Sequence, residues 1–340
     1  MNNRIRFVVV GCGHIGKRHA QMILENPEAE LVALVDIREK VALGLEAFEI
    51  PFFSRVEDLA TSGLAYDVVN IAVPNGLHVT LASFFISLGK DVVIEKPMAL
   101  KASDAENLLA QSKAMNTRVF VVMQNRYSPP SAWLKELISN KILGDIYMVE
   151  LSCYWNRDAR YYTPGNWHGT KNLDGGTLFT QFSHFIDIVY WLFGGIKNVS
   201  SRFYDFNHEH LTDFEDSGMV NFEFEQGGVG SFCFSTSVWN KNLESSLTII
   251  GSKGSVKVGG QYMDKVEYCE IKDYTMPELS ATNPGNDYGI YKGSAANHHF
   301  VIKNVIDVIK RGAEMTTTAE DGIAVVQMIE AMYASKKVTL

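Results

Sequence analysis

A glycine cluster lying between two different periodicities does most to limit what this chain can fold into. Arg4–Val10 is an apolar run rich in valine, and Ile15–Asn26 carries the spacing of a helix. Between them stands Gly11-Cys-Gly13-His-Ile-Gly16, a G-x-G-x-x-G that follows a strand and opens a helix. In that context the first glycine permits the tight turn and the second lets a pyrophosphate approach the backbone. The third lets helix pack on strand. The helix amino terminus adds N–H groups and a positive dipole end. Asp36 ends the next strand, 36 − 16 = 20 residues past the last glycine, where an acid bonds ribose hydroxyls and repels a 2′-phosphate. The expected cofactor is NAD in preference to NADP, held by Gly11, Gly13, His14, Ile15, Gly16 and Asp36, with Arg38 close by.

Strand signals recur at Leu31–Asp36, Tyr66–Val73, Lys90–Ile94 and Arg118–Met123. Helical spacing separates them at Glu39–Phe48, Leu77–Leu88 and Ala102–Met115, with a short helix from Val56. Near-continuous apolar strands alternating with helices predict a doubly wound parallel sheet. The pattern then changes. After the helix Ala132–Asn140, six β-rich segments follow between Asp145 and Val258, interrupted by a helix at Phe182–Leu192. Glu225–Gly228 and Gly251–Gly254 look like hairpin turns. Helices at Asn297–Lys310 and Thr318–Ser335 close the chain. The expected architecture is α/β: a Rossmann domain at 1–124, then an α+β domain at 125–340 with a large open, mainly antiparallel sheet. The helix spanning residues 318–336 is expected to pack back on the first domain.

Composition narrows the function classes. A length of 340 residues exceeds what one core usually serves, and 46% hydrophobic with 21% charged residues is a globular mix. A formal net charge of −8 argues against nucleic acid or an anionic membrane surface as partner. The four cysteines make no C-x-x-C pair, which fits a reducing cytoplasm. The start MNNRIRFVVV lacks a signal-peptide layout, and no apolar run approaches the ~20 residues of a membrane span. His208-Glu-His210 and His298-His299 have no matching third ligand at zinc spacing, so no metal is expected.

The chemistry is sought at strand ends, where open α/β sheets bind ligands. Pro74-Asn-Gly-Leu-His78 follows one strand, and Pro74, Asn75 and His78 are candidates to touch the cofactor; ordinary turn chemistry explains the same residues. Glu95-Lys96-Pro97 follows another, so Glu95 and Lys96 are expected at the cofactor, with Lys96 facing the nicotinamide side. Far along the chain, Gly175-Gly-Thr-Leu-Phe-Thr180-Gln181-Phe-Ser-His184-Phe-Ile-Asp187 puts His184 and Asp187 on one helix face. Removing a hydride from an alcohol needs a base for the hydroxyl proton, and histidine titrates in the useful range.

Together V-I-E-K-P, G-C-G-H-I-G, P-N-G-L-H and G-G-T-L-F-T-Q-F-S-H-F-I-D resemble the glucose–fructose oxidoreductase/inositol dehydrogenase (Gfo/Idh/MocA) family over almost the whole chain. The resemblance implies a Rossmann domain followed by an open-sheet domain. It also implies that Lys96 and His184 serve proton transfer and substrate binding. One departure matters: the family often has Asp four residues before the histidine, and Thr180 stands there. A carboxylate partner is therefore expected to be missing, with Thr180 and Gln181 better suited to a sugar or acetamido group. Either His184 is oriented by another residue, or Lys96 is the main proton acceptor.

The run from Trp155 to Lys171 is aromatic and basic. It reads either as packed connection or as a place for rings on a sugar and arginine forks on carboxylate or phosphate. The arrangement Y-Y…W-x-G-T…G-G…T-Q…H…D resembles the family's dehydrogenases of UDP-N-acetylglucosaminuronate and related nucleotide sugars, which oxidise C3. On that resemblance Arg157, Arg160, Tyr161, Trp167 and Lys171 are substrate candidates, with Gln124, Asn125 and Arg126. The alternatives are an inositol or aldose dehydrogenase, or a non-catalytic NAD-binding regulator. An exposed sheet face leads to the expectation of a homodimer or homotetramer.

Overall fold

The computed structural model describes residues 4–163, 165–289 and 291–336, so the first three residues of the amino-terminal stretch lie outside it. Two compact units emerge: Met1–Met123 with His298–Ile323, and Gln124–Asn297 with Ala324–Leu340.

The first unit runs β1 (Ile5–Val10), α1 (His14–Glu25), β2 (Ala29–Val35), β3 (Phe52–Phe53), α2 (Val56–Thr61), β4 (Val68–Ile71), α3 (His78–Ser87), β5 (Asp91–Ile94), α4 (Ala102–Ala114) and β6 (Val119–Val121). All pairings are parallel, in the order β3-β2-β1-β4-β5-β6. This is the doubly wound dinucleotide-binding order, which reverses between β1 and β4. β1, β4 and β5 are largely buried on both faces, as their valine- and isoleucine-rich sequences lead one to expect.

The helix expected over Glu39–Phe48 does not form; that stretch is a series of turns. Gly44 adopts φ +62°, which no helix contains, and Leu43 and Leu45 on either side are both buried. The Lys40 ammonium donates to the carbonyls of Phe48 and Ile50 at 2.6 and 3.3 Å, holding the turns closed.

The second unit begins with α5 (Pro129–Ser139) and β7 (Ile146–Tyr154), then α6 (Thr177–Thr180) and α7 (Ser183–Phe193). Six strands follow: β8 (Ile196–Tyr204), β9 (Ser217–Phe224), β10 (Val229–Ser235), β11 (Glu244–Gly251), β12 (Gly254–Gly259) and β13 (Lys265–Ile271). They join β7 in a seven-stranded sheet ordered β13-β12-β11-β7-β10-β9-β8, antiparallel except for β7 with β10. A two-stranded ribbon pairs β14 (Gly285–Asp287) with β15 (Lys292–Ala295). The edge strand β13 gave no signal because little of it is buried, so its side chains need not alternate. The chain ends with α8 (His298–Arg311), part of the first unit, and α9 (Ala319–Ala334).

The seven-stranded sheet positions α7. Its inner face presents Phe232 and Phe234, and Phe182 packs edge-on or tilted against both at 6.0 and 5.6 Å. Trp155 meets Phe182 and Phe185 at 5.5 and 5.6 Å, with its indole N–H donating to Ser245 at 2.8 Å. The outer face leaves Met148, Met219 and Val229 exposed. No helix among the described residues is long and apolar enough to cross a membrane.

Candidate active site

The glycine loop comes first. At Gly11 the backbone has φ +88°, and a Cβ would sit 2.4 Å from the Ala72 carbonyl oxygen. At Gly16 a Cβ would meet the Gly11 carbonyl oxygen at 1.7 Å, so this glycine is what lets α1 close on β1. Gly13 differs: its φ is −69°, and the nearest atom to an added Cβ is Arg38 Nη2 at 3.9 Å. Nothing inside the chain demands glycine there, whereas a pyrophosphate approaching the backbone would. The first turn of α1, beginning at His14, carries no acidic residue, so no anionic side chain from that turn neutralises its positive dipole end. These residues fit a dinucleotide.

Asp36 is buried beside this loop. Its Oδ2 accepts the Cys12 N–H at 2.7 Å and its Oδ1 the Arg38 N–H at 2.9 Å. The Arg38 guanidinium forks the same carboxylate with two contacts of 3.1 Å. Burial alone would raise the Asp36 pKa, but the bonds from Arg38 and Cys12 outweigh it and hold the carboxyl below its ordinary value.

The loops after β4 and β5 stand at the same end of the sheet. Pro74 leads into a single 3-10 turn at Asn75–Leu77, with Asn75 buried. His78 is fully buried, with Nδ1 2.7 Å from the Pro97 carbonyl oxygen and Nε2 2.9 Å from that of Val73. Burial lowers its pKa, and a neutral ring donates from one nitrogen at a time. The structure thus gives His78 a role other than the cofactor contact expected of it: it ties two loops together. Lys96 is half-buried, and its peptide bond to Pro97 is cis. The Glu95 carboxylate accepts the Lys96 N–H through Oε2 at 3.1 Å, while its Oε1 lies 2.9 Å from His19 Nε2. Sequence reasoning missed His19. The available signal was a histidine on the buried stripe of α1, with Gly16, Ala20 and Ile23.

In the second unit His184 is buried in the first turn of α7. Phe182 and Phe185 anchor one side of the helix, as above. Asp187, one turn on, is fully buried and forked by Arg126, with Nη2 at 2.6 Å and Nε at 2.9 Å. Arg126 also lies over the Trp191 ring at 5.4 Å. Arg126 was expected to face substrate; in the structure its guanidinium holds α7 in rotation instead.

Thr180 donates its hydroxyl to the carboxylate of Asp174, whose other oxygen accepts the Gly169 N–H at 2.8 Å. A buried carboxylate does therefore stand beside Thr180, supplied by a residue that the sequence reading passed over. Gln181 accepts from Arg157 Nε at 3.0 Å and donates to the Tyr161 hydroxyl at 3.1 Å. Arg157 is itself buried, bonding Asn242 and the carbonyls of Asn156 and Lys292, among the rings of Trp155, Tyr161 and Tyr291. Arg157, Tyr161 and Gln181 are thus joined as framework, which corrects the expectation that Arg157 reaches for a diphosphate. Arg160 remains half-exposed on Asp158, and Trp167 stacks on His168 at 3.9 Å. Gln124 is buried and donates to Ser294 at 3.3 Å.

A parallel sheet in this order, with a glycine loop that fits a dinucleotide, defines a dinucleotide-binding Rossmann domain. The chain belongs to the Gfo/Idh/MocA oxidoreductase family: residues 5–123 match its NAD-binding Rossmann fold and residues 135–339 its C-terminal alpha/beta domain. It is similar to the WlbA dehydrogenase of Bordetella pertussis, solved with NADH and UDP-GlcNAcA, at 30% identity and TM-score 0.86, covering 98% of this chain and 96% of that one. The WlbA dehydrogenase from Chromobacterium violaceum, solved with the same two ligands, gives 29% and 0.86 over 98% and 94%. The inositol 2-dehydrogenase of Rhizobium meliloti is 24% identical over 97% of this chain and 96% of its own length. The protein is an NAD(P)-dependent sugar-type dehydrogenase.

Proposed function

We propose that this enzyme oxidises the C3 hydroxyl of a UDP-linked N-acetylated sugar, of the UDP-N-acetylglucosaminuronate type. The observation that carries this reading is its likeness along nearly its whole length to two dehydrogenases solved with that nucleotide sugar. Bound NAD supplies the hydride acceptor. The chain supplies the rest: Gly11–Gly16 and the start of α1 seat the pyrophosphate, and Asp36 takes the adenine ribose. Lys96 and His184 handle the hydroxyl proton, with the ammonium polarising the carbonyl oxygen as it forms. Arg160 and Lys171, both exposed, are better suited than Arg157 to a carboxylate or diphosphate.

A panel of nucleotide sugars, aldoses and polyols scored for NADH production tests the substrate. UDP-N-acetylglucosaminuronate should be turned over far better than glucose or myo-inositol, and Arg160→Ala should raise its KM without altering NAD affinity. Equal rates on free inositol would move the enzyme to the polyol dehydrogenases.

Asp36→Ser is expected to weaken NAD binding and to improve NADP relative to it. The substitution removes the ribose acceptor and also releases the Arg38 guanidinium, which then suits a 2′-phosphate. Fluorescence titration with NADH and NADPH reads both changes; an unaltered ratio would show that Asp36 is not the ribose ligand.

A further inference from the structure

Glu95 is a buried carboxylate that the proton-transfer reading does not use. Its Oε1 lies 2.9 Å from Nε2 of His19 on α1 and 3.5 Å from Nε2 of His298 at the start of α8. The two rings pack edge to face at 5.6 Å. Asn70 on β4 donates Nδ2 to His19 Nδ1 at 2.7 Å, which leaves the ring proton on Nε2, pointed at Glu95. The other carboxylate oxygen accepts the backbone N–H of Lys96. His78 holds the next carbonyl, that of Pro97. The turn carrying Lys96 is therefore gripped by histidines from three helices.

We propose that His19 and His298 are positioning residues, which act through Glu95 to set the turn bearing Lys96 and so couple the helix of the glycine loop to the proton-handling lysine. The inference rests on the reading of Lys96 given above. Burial alone would drive the Glu95 carboxyl up, but the hydrogen bonds from His19 and His298 reverse this and keep it well below the ordinary range. A carboxylate kept ionised next to Lys96 favours the ammonium form. The charged or titratable groups around it are His19 and Arg18 on α1, His78 on α3, His298 on α8 and Lys96 itself. A metal ion is the competing explanation for two imidazoles and a carboxylate whose donor atoms lie within 4.8 Å of one another. The donated hydrogen bond from Asn70 and the 2.9 Å approach of His19 Nε2 favour a proton there instead. Two ligands of a tetrahedral zinc at about 2.0–2.2 Å stand farther apart than that.

The experiment compares His19→Leu with His19→Gln, which keeps a side-chain N–H donor, and measures three things on the full chain. Turnover should fall about 10²-fold in the leucine variant, as for a catalytic group misplaced by about 1 Å. NADH binding should stay close to wild type, and the glutamine variant should recover part of the loss. The pH midpoint for acylation of the Lys96 amine, followed by mass spectrometry, should move down in His19→Leu, because the unsupported Glu95 tends to neutrality. Unchanged turnover and an unchanged labelling midpoint would overturn the proposal. So would stoichiometric zinc in the purified enzyme that the leucine variant loses. Lys96→Met, assayed alongside, separates the two readings: if it keeps full turnover, the lysine's role falls, while the labelling midpoint still decides whether the histidines set its turn.

Discussion

Lys96→Met is expected to lose ~10²–10⁴-fold in turnover while still binding NADH, the usual cost of removing an acid–base group. That is about 3–5 kcal/mol of transition-state stabilisation. Methionine keeps the length and much of the packing of the lysine stem, so the loss reports the ammonium rather than a collapsed turn. His184→Ala should cost a similar factor if the two groups share the proton. Single-turnover rates and NADH titration separate chemistry from binding. Full activity in His184→Ala would mean that the enzyme runs on the lysine alone.

Opening the Arg126–Asp187 pair should be the most damaging single change to stability. Both side chains are almost completely buried, and Asp187 meets the guanidinium at two atoms. Desolvating two ions costs nearly what their attraction returns, so the intact pair adds little net stability. Removing one partner strands a buried charge and costs about 3–5 kcal/mol. Asp187→Ala should therefore lower the denaturant midpoint sharply, and Arg126→Met similarly. The double variant Arg126→Met/Asp187→Leu should recover much of the loss, since no charge is left unpaired. If the double variant is as unstable as the sum of the singles, the pair is not the interaction that holds α7.

The glycine loop shows how far one short motif reaches. Gly11 and Gly16 are required by the chain's own backbone, whereas at Gly13 the nearest atom to an added Cβ is 3.9 Å away. All three were legible, because the strand before them and the helix after them have different periods. The arginines were less so. A basic, aromatic run has the same composition whether its forks face a ligand or the protein. Only the fold showed Arg157 buried among three rings and Arg126 locked to Asp187. Asp174 escaped notice because it serves Thr180 across a turn rather than along one helix face.

By itself the sequence determined the elements whose signals are local. These are the βα alternation of the first unit, the dinucleotide loop, the acid at the end of β2, the Glu-Lys-Pro turn and the helix bearing His184. Each follows from apolar period, turn chemistry or a fixed spacing within some twenty residues. Tertiary structure alone decided which polar groups are partners. His19, Glu95 and His298 lie 76 and 203 residues apart along the chain, yet they converge because α1, β5 and α8 pack in one unit. A hydrogen bond needs atoms within about 3 Å, and no period along a chain encodes which distant side chains burial will bring to that distance.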